Sequence, residues 1–191
     1  MQALLDFDRW MFEKVNQGGA NDFFDVLMPF LRQPLFWAPL YAFVIFLVLF
    51  NFRKHLFYWL LFGTVTLTIT DVISSRFFKP IVGRLRPCNE PLLAEHIRVL
   101  AGCGMNGSFT SSHAANHFGI SMFFFITLHH CLGKKWSSLF FLWAISVCYA
   151  QVYVGVHYQL DVAGGALLGT LAGIALGKVF NEKIGLLRLN Q

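Results

Sequence analysis

Charge is what this sequence has least of. Asp, Glu, Lys and Arg make up 13% of its 191 residues, against roughly 25% in soluble domains, and so little charge cannot clothe a water-exposed surface. Self-similarity is missing too: no period of roughly 20–50 residues recurs and no tract is low in complexity, so solenoids and repeat-built transporters are disfavoured. The opening stretch MQALLDFDRWMFEKVNQG, residues 1–18, has acids among its apolar positions and no small-residue cleavage site, which argues against a cleaved signal peptide.

What is present is apolar. Hydrophobic residues account for 56% of the chain, Phe alone occurs 22 times, and the mean hydropathy is +0.56. Largely uncharged stretches reach the roughly 17–25 residues that a membrane crossing needs. They run Pro34–Phe52, Leu56–Phe78, Ser112–Leu132, Trp136–Val156 and Tyr158–Phe180, the second interrupted by Asp71 and Arg76. Ahead of them, Leu4, Phe7, Met11 and Val15 recur at helical spacing with Asp8, Arg9 and Lys14 on other faces, the pattern of a helix lying in the membrane interface. The expected fold is therefore all-α: one membrane-embedded domain over residues 1–191, a helical bundle of about five spans with an interfacial amphipathic region at 1–31.

Five crossings put the two termini on opposite sides. On the C-terminal side, lysine and arginine sit in short turns and the tail (Arg53, Lys54, Lys134, Lys135, Lys178, Lys183, Arg188), which assigns that side to the cytoplasm. The long loop 79–110 then lies outside. It holds Cys88 and Cys103, a pair able to form a disulfide there, stabilising by about 3 kcal/mol, or to remain two free thiols.

That topology gathers three polar clusters on one membrane face. The loop begins KPIVGRLRPCNEP, supplying Lys79, Arg84 and Arg86; it ends GSFTSSHAANHF, with Ser111 and His113; and VYVGVHYQLDVAGG places His157 and Asp161 between the last two spans. Three cations with hydroxyl and backbone donors suit a dianion such as phosphate, although singly each could hold a lipid headgroup. His157 and Asp161, four apart, are expected to face each other on a helix. A carboxylate on one ring nitrogen leaves the other free to attack, and His113, from another element, is placed to donate a proton. Alone, His157 reads equally well as a satisfied interfacial histidine. Gly165, Gly169, Gly173 and Gly177 continue the stripe and allow a neighbouring helix to approach closely.

In combination these residues resemble the type-2 phosphatidic acid phosphatases. Lys79, six residues, then Arg86-Pro87 is similar to the family's first signature; FTSSHA resembles the second, whose core is Pro-Ser-Gly-His; AQVYVGVHYQLD resembles the third, Ser-Arg, five residues, His, three residues, Asp. The resemblance spans Lys79–Asp161 and implies a helical membrane phosphatase acting without metal or other cofactor through a phosphohistidine. It further implies His157 as nucleophile, Asp161 as its orienter and His113 as general acid. Lys79, Arg86 and Ser111 would bind phosphate, with Arg84 as helper and a backbone donor at Ser112. The sequence departs from the pattern where Gln151 replaces the third-motif arginine, Ala150 the adjacent serine, Thr110 and Ser112 the proline and glycine, and Gln159 a common proline. Gln151 can still donate a hydrogen bond to phosphate but brings no charge, so weaker phosphate binding, slower turnover or compensation by Arg84 is expected.

The expected partners are the lipid bilayer and a lipid phosphate at the outer headgroup level of a bacterial-type inner membrane. Polyprenyl diphosphate, phosphatidylglycerol phosphate, phosphatidate and lipid A phosphates all qualify; no nucleic acid is expected, and nothing in the pattern sets an oligomeric state. Two other readings exist. His113, His117, His157 and Asp161 could ligate zinc, against which stand the nearby cations and the lack of the HExxH glutamate. Asp71, an intramembrane acid, suits a transporter or an inactive lipid binder, though an ion pair with Lys79 or Arg76 is its simpler role.

Overall fold

In the computed structural model residues 2–91, 93 and 96–186 are described, and all regular structure among them is helical. Arg188, one of the cations of the C-terminal side, lies outside the described residues. The helices are α1 (Gln2–Asn16), α2 (Asp22–Leu31), α3 (Ala38–Phe52), α4 (Leu56–Val72), α5 (Lys79–Val82), α6 (Ser112–Leu132), α7 (Lys134–Ser137), α8 (Leu139–Tyr153) and α9 (Gln159–Lys183). Three stretches among the described residues are long and apolar enough to cross a membrane: Pro34–Asn89, Lys134–Tyr153 and Gln159–Lys183. The first of these folds back at the tight turn Arg53–His55 and so contains both α3 and α4. Large apolar side chains point outward along the helices, Phe50 at 80% exposure and Leu142 and Leu167 at 63%, as lipid contact requires.

α1 turns the opposite way from a simple amphipathic helix. Its buried stripe is Asp8, Phe12 and Asn16, while Leu4, Phe7 and Trp10 are exposed. Hydrogen bonds explain the orientation. Asn16 Nδ2 donates to the carbonyls of Arg98 and Tyr153, both at 2.8 Å, and its Oδ1 accepts from the Arg98 N–H at 2.9 Å. Polar anchoring toward the protein thus leaves the apolar side chains Leu4, Phe7 and Trp10 exposed.

α2 is capped by Asn21, whose Oδ1 accepts from the Phe24 N–H at 2.9 Å, and Asp22 and Asp25 complement the dipole of its first turn. It stops at Arg32 because Pro34 forces Gln33 into an extended conformation. The far end of α4 widens into a π-helical turn, Ile73–Phe78, that delivers Lys79 to the head of α5. Gly83, left-handed at φ +60°, closes α5 and releases the chain into the loop.

α6 and α9 form the axis of the bundle. Gly165, Gly169, Gly173 and Gly177 are buried along one face of α9. A Cβ added at Gly169 would lie 2.7 Å from the Gly119 nitrogen, and one at Gly173 would lie 2.8 Å from the Met122 Cβ, so the two helices touch at backbone level. Toward the other end Trp59, Phe123, Phe124, Phe140 and Phe180 fill the core, with Trp59 Nε1 donating to Thr127 Oγ1 at 3.0 Å.

Close packing makes the stripe intolerant of volume. Gly169→Ala is expected to lose about 1–3 kcal/mol, read as a lowered melting temperature in detergent. Gly102→Ala, where nothing lies within 4 Å of the new carbon, should stay within about 0.5 kcal/mol of the parent. Equal melting of the two variants would contradict the contact.

Candidate active site

The fold brings the start of the loop, its end and the α8–α9 connector together around Asp161. This carboxylate is fully buried and both of its oxygens accept hydrogen bonds. Oδ1 accepts from Arg84 Nη1 at 2.9 Å; Oδ2 accepts from the Tyr158 backbone N–H at 2.9 Å and from the Ser108 hydroxyl. Tyr158 is the N-cap of α9 and Asp161 its third residue, so this side chain also caps the helix by reaching back. The Asp161 carbonyl in turn accepts from the Ser111 N–H at 2.9 Å, joining the heads of α6 and α9.

His157 is not on a helix. Because α9 begins at Gln159, the imidazole belongs to the connector that follows α8, which ends at Tyr153 rather than extending to Val156. The expected contact is made nonetheless, through the backward reach of Asp161: Nδ1 lies 3.5 Å from Oδ2. Ser108 Oγ lies 3.3 Å from the same nitrogen while donating to Asp161. A hydroxyl that gives its proton to a carboxylate can only accept from the ring, so this network places the imidazole proton on Nδ1 and a lone pair on Nε2. Burial, with 1% of the residue exposed, holds the His157 pKa below the ordinary imidazole value of 6.5, the contact with Asp161 acting in the opposite direction.

Cations stand on the Nε2 side. Arg86 Nη1 is 3.5 Å from Nε2, and its Nε donates to the Asn106 carbonyl at 3.0 Å. Lys79 is buried at the head of α5, near enough for its charge to interact with Arg86 and Asp161. Among the described residues, the ion pairs formed include neither Lys79 nor Arg86. The loop carrying Arg86 is closed by a disulfide between Cys88 and Cys103, Cα atoms 6.1 Å apart. Ser112 and His113 begin α6, where N–H groups of the first turn have no carbonyl partner within the helix. His113 is close enough for its charge to interact with Lys79 and His157.

Several residues sit otherwise than the sequence suggests. Arg84 is no free helper for phosphate: Nη1 holds Asp161, Nη2 donates to Asp8 Oδ2 at 2.7 Å, and its guanidinium lies 4.0 Å over the Tyr158 ring. The Ser111 hydroxyl caps α6 by accepting from the Ala114 N–H, and the Ser112 hydroxyl lies 2.9 Å from that of Ser74. Asp71 takes a hydrogen bond from Asn116 Nδ2 at 3.4 Å; it makes no direct ion pair with Lys79 or Arg76 among the described residues, but its charge acts favourably on Lys79. Gln151 is fully buried, and neither atom of its amide has a partner. Among the described residues no three His, Cys, Asp or Glu side chains converge as a metal-ligand group, so His113, His117, His157 and Asp161 do not assemble the zinc set their spacing allows.

Comparison with known proteins identifies the family. The PAP2 superfamily model matches residues 57–184. The chain belongs to the PAP2 superfamily. This PAP2 chain is 33% identical, over 91% of its length and 76% of the relative's, to a lipid A 4'-phosphatase of Bacteroides thetaiotaomicron. Its fold is similar to that of the crystal structure of a transmembrane PAP2-type phosphatidylglycerolphosphate phosphatase from Bacillus subtilis, with a TM-score of 0.73, 24% identity and coverage of 98% and 90% of the two chains. It is also similar to Aquifex aeolicus LpxE, with a TM-score of 0.64, 27% identity and coverage of 88% and 93%.

Two contributors were not singled out from the sequence. Ser108, bridging His157 and Asp161, differs in no visible way from the other hydroxyls of GSFTSSH. Asp8 lay in a helix read as interfacial, yet its Oδ2 clamps Arg84 and its Oδ1 accepts from the Leu160 N–H at 3.0 Å. The one available signal was that an acid on an amphipathic helix had no cation three or four residues away.

Asp8, Arg84 and Asp161 therefore act as one unit in this PAP2 chain. Asp8→Ala and Arg84→Ala should each cost about 3–5 kcal/mol, the range for breaking a buried pair, and the double variant should cost clearly less than their sum. Denaturation of the three variants in detergent measures this; additive losses would contradict the clamp.

Proposed function

We propose that this protein is a membrane lipid phosphatase in which His157 attacks the phosphorus directly, with no metal ion. The observation that carries the proposal is the asymmetry around His157: Nδ1 tied to Ser108 and Asp161, Nε2 facing Arg86 at 3.5 Å. Family membership and the lipid phosphatase among the relatives support it.

In this reading a phosphate dianion settles between Lys79, Arg86 and the first turn of α6, where the backbone N–H groups of Ser112 and His113 receive it. The Nε2 lone pair forms a P–N bond while the ester or anhydride P–O bond breaks, and His113 gives a proton to the departing oxygen. Water then attacks the phosphohistidine, giving its proton to the same base and releasing inorganic phosphate. Arg84 acts by holding Asp161, a role its hydrogen bond to Oδ1 supports.

The chain crosses the bilayer five times, through α3, α4 with α5, α6, α8 and α9. The Lys/Arg-bearing turns lie on the cytoplasmic side and the 79–110 loop with its disulfide lies outside, in a bacterial inner membrane. An apolar cavity of about 220 Å³, walled by Val44, Trp59, Leu67, Ile120 and Phe124, reaches His117, one turn along α6 from His113. It suits the hydrocarbon of a lipid whose phosphate is at the site.

The unpartnered Gln151 amide favours a second reading, a catalytically weakened relative that binds lipid phosphates. Phosphate release separates the two. The intact protein is expected to release phosphate from at least one of polyprenyl diphosphate, phosphatidylglycerol phosphate, phosphatidate and lipid A, equally with and without EDTA, and His157→Ala should release none. Release by neither protein would favour the binder, and loss on EDTA treatment would overturn the metal-free step.

The pH profile has a defined sign. Only neutral His157 can attack, and its pKa lies below 6.5, so kcat/KM should fall on the acid side only at pH values under that figure. An acid limb centred above 6.5 and lost in no other variant would contradict the buried, neutral nucleophile.

A further inference from the structure

A second polar cleft, of about 330 Å³, opens beside the site. Arg32, Gln33 and His113 contribute to its wall, together with Pro29 and residues 100–102. Neither Lys79, Arg86 nor His157 lines it. Of the side chains around the reacting centre, His113 alone is shared between the two spaces.

The backbone at Arg32 is fixed by its neighbours. It ends α2, its N–H bonded to the Phe30 carbonyl; Gln33 donates to the same carbonyl at 2.9 Å; and Trp37 Nε1 donates to the Leu31 carbonyl at 2.7 Å. Its guanidinium is half-buried, and that burial, with Arg86 second, holds its pKa below the ordinary arginine value. It stays charged all the same. Yet the ion pairs among the described residues take in Arg9, Arg84, Arg98 and His157 and leave Arg32 out. A partly desolvated cation beside further unpaired cations is electrostatically unfavourable without an anion to meet it.

We propose that the cleft of Arg32, Gln33 and His113 is a subsite for a second phosphate, one that remains with the leaving group when the terminal phosphate moves to His157. The inference rests on the phosphatase reading, in which His113 protonates the departing oxygen. Whatever that oxygen stays bonded to must lie on the His113 side, where this cleft supplies the cation and the apolar cavity beyond His117 receives the hydrocarbon. The transferred phosphate, by contrast, is met by Lys79 and Arg86, which lie outside it. Substrates with an anion on the leaving side, either a diphosphate or a phosphomonoester joined to a phosphodiester through glycerol, use Arg32. A lone phosphomonoester on diacylglycerol does not.

The test compares Arg32→Gln and Arg32→Lys with the parent on three lipids: a polyprenyl diphosphate, phosphatidylglycerol phosphate and phosphatidate. Arg32→Gln is expected to lower kcat/KM by about 10- to 100-fold on whichever of the first two is a substrate, the value of one charge-assisted hydrogen bond. On phosphatidate the change should stay within about threefold, and Arg32→Lys should recover part of the loss. The pattern across the first two lipids tells a directly attached second phosphate from one across a glycerol. An equal loss on all three lipids would overturn the inference, because Arg32 would then serve the transferred phosphate or the fold; melting temperatures of both variants identify the latter. Binding gives a readout independent of turnover. Methylenediphosphonate should bind the parent more tightly than orthophosphate, and Arg32→Gln should erase the difference. If no lipid is hydrolysed but that preference exists and is erased, the subsite stands and the phosphatase reading falls. A preference that survives Arg32→Gln, or is absent from the parent, overturns the subsite.

Discussion

A buried carboxylate, Asp161, is the constraint on which the rest of this structure depends. An unpaired charge at that depth would be strongly unfavourable, so the surrounding chain is organised to meet it: Arg84 on one oxygen, the Tyr158 N–H and Ser108 on the other. Each partner also performs a second task. Tyr158 begins α9, Ser108 fixes the proton of His157, and Arg84 ties α1 to the bundle through Asp8. Removing the carboxylate would loosen the imidazole and the helix start and leave Arg84 with Asp8 alone.

The second constraint is the bare contact of α6 and α9. Small residues on both helices bring the backbones together, and the Ser111 N–H bonded to the Asp161 carbonyl sets the two helix heads side by side. Hence the positive end of the α6 dipole, the imidazole and the cations of the loop share one small volume. Membrane packing and site geometry are here a single problem, and the glycine stripe serves both.

The helices were legible because lipid imposes a strong pattern: long uncharged stretches, broken at charged turns such as Arg53–His55 and Lys134–Lys135. Lys79, Arg86, His113, His157 and Asp161 could be picked out because topology alone sends their segments to one face. Local geometry could not be read in the same way. A spacing of four suggested a helix for His157 and Asp161, whereas α9 starts between them and the contact arises from capping. Arg84 looked like one more cation for phosphate; only the fold reveals that two carboxylates, one from a distant helix, already hold it. The same limit hid Asp8, since a pair separated by 76 positions leaves no mark on local periodicity. The helix α1 was legible but its faces were misjudged, because three hydrogen bonds of Asn16 turn its polar stripe inward.

The account stands or falls on whether the lone pair of His157 is the attacking group. Rapid quenching of the intact protein with a lipid labelled in its terminal phosphate, followed by peptide mapping, addresses this directly. The account predicts label on the peptide containing His157, stable in base and lost in mild acid, as expected of a P–N bond. Label on another residue, or steady phosphate release with no labelled peptide at any quench time, would contradict it.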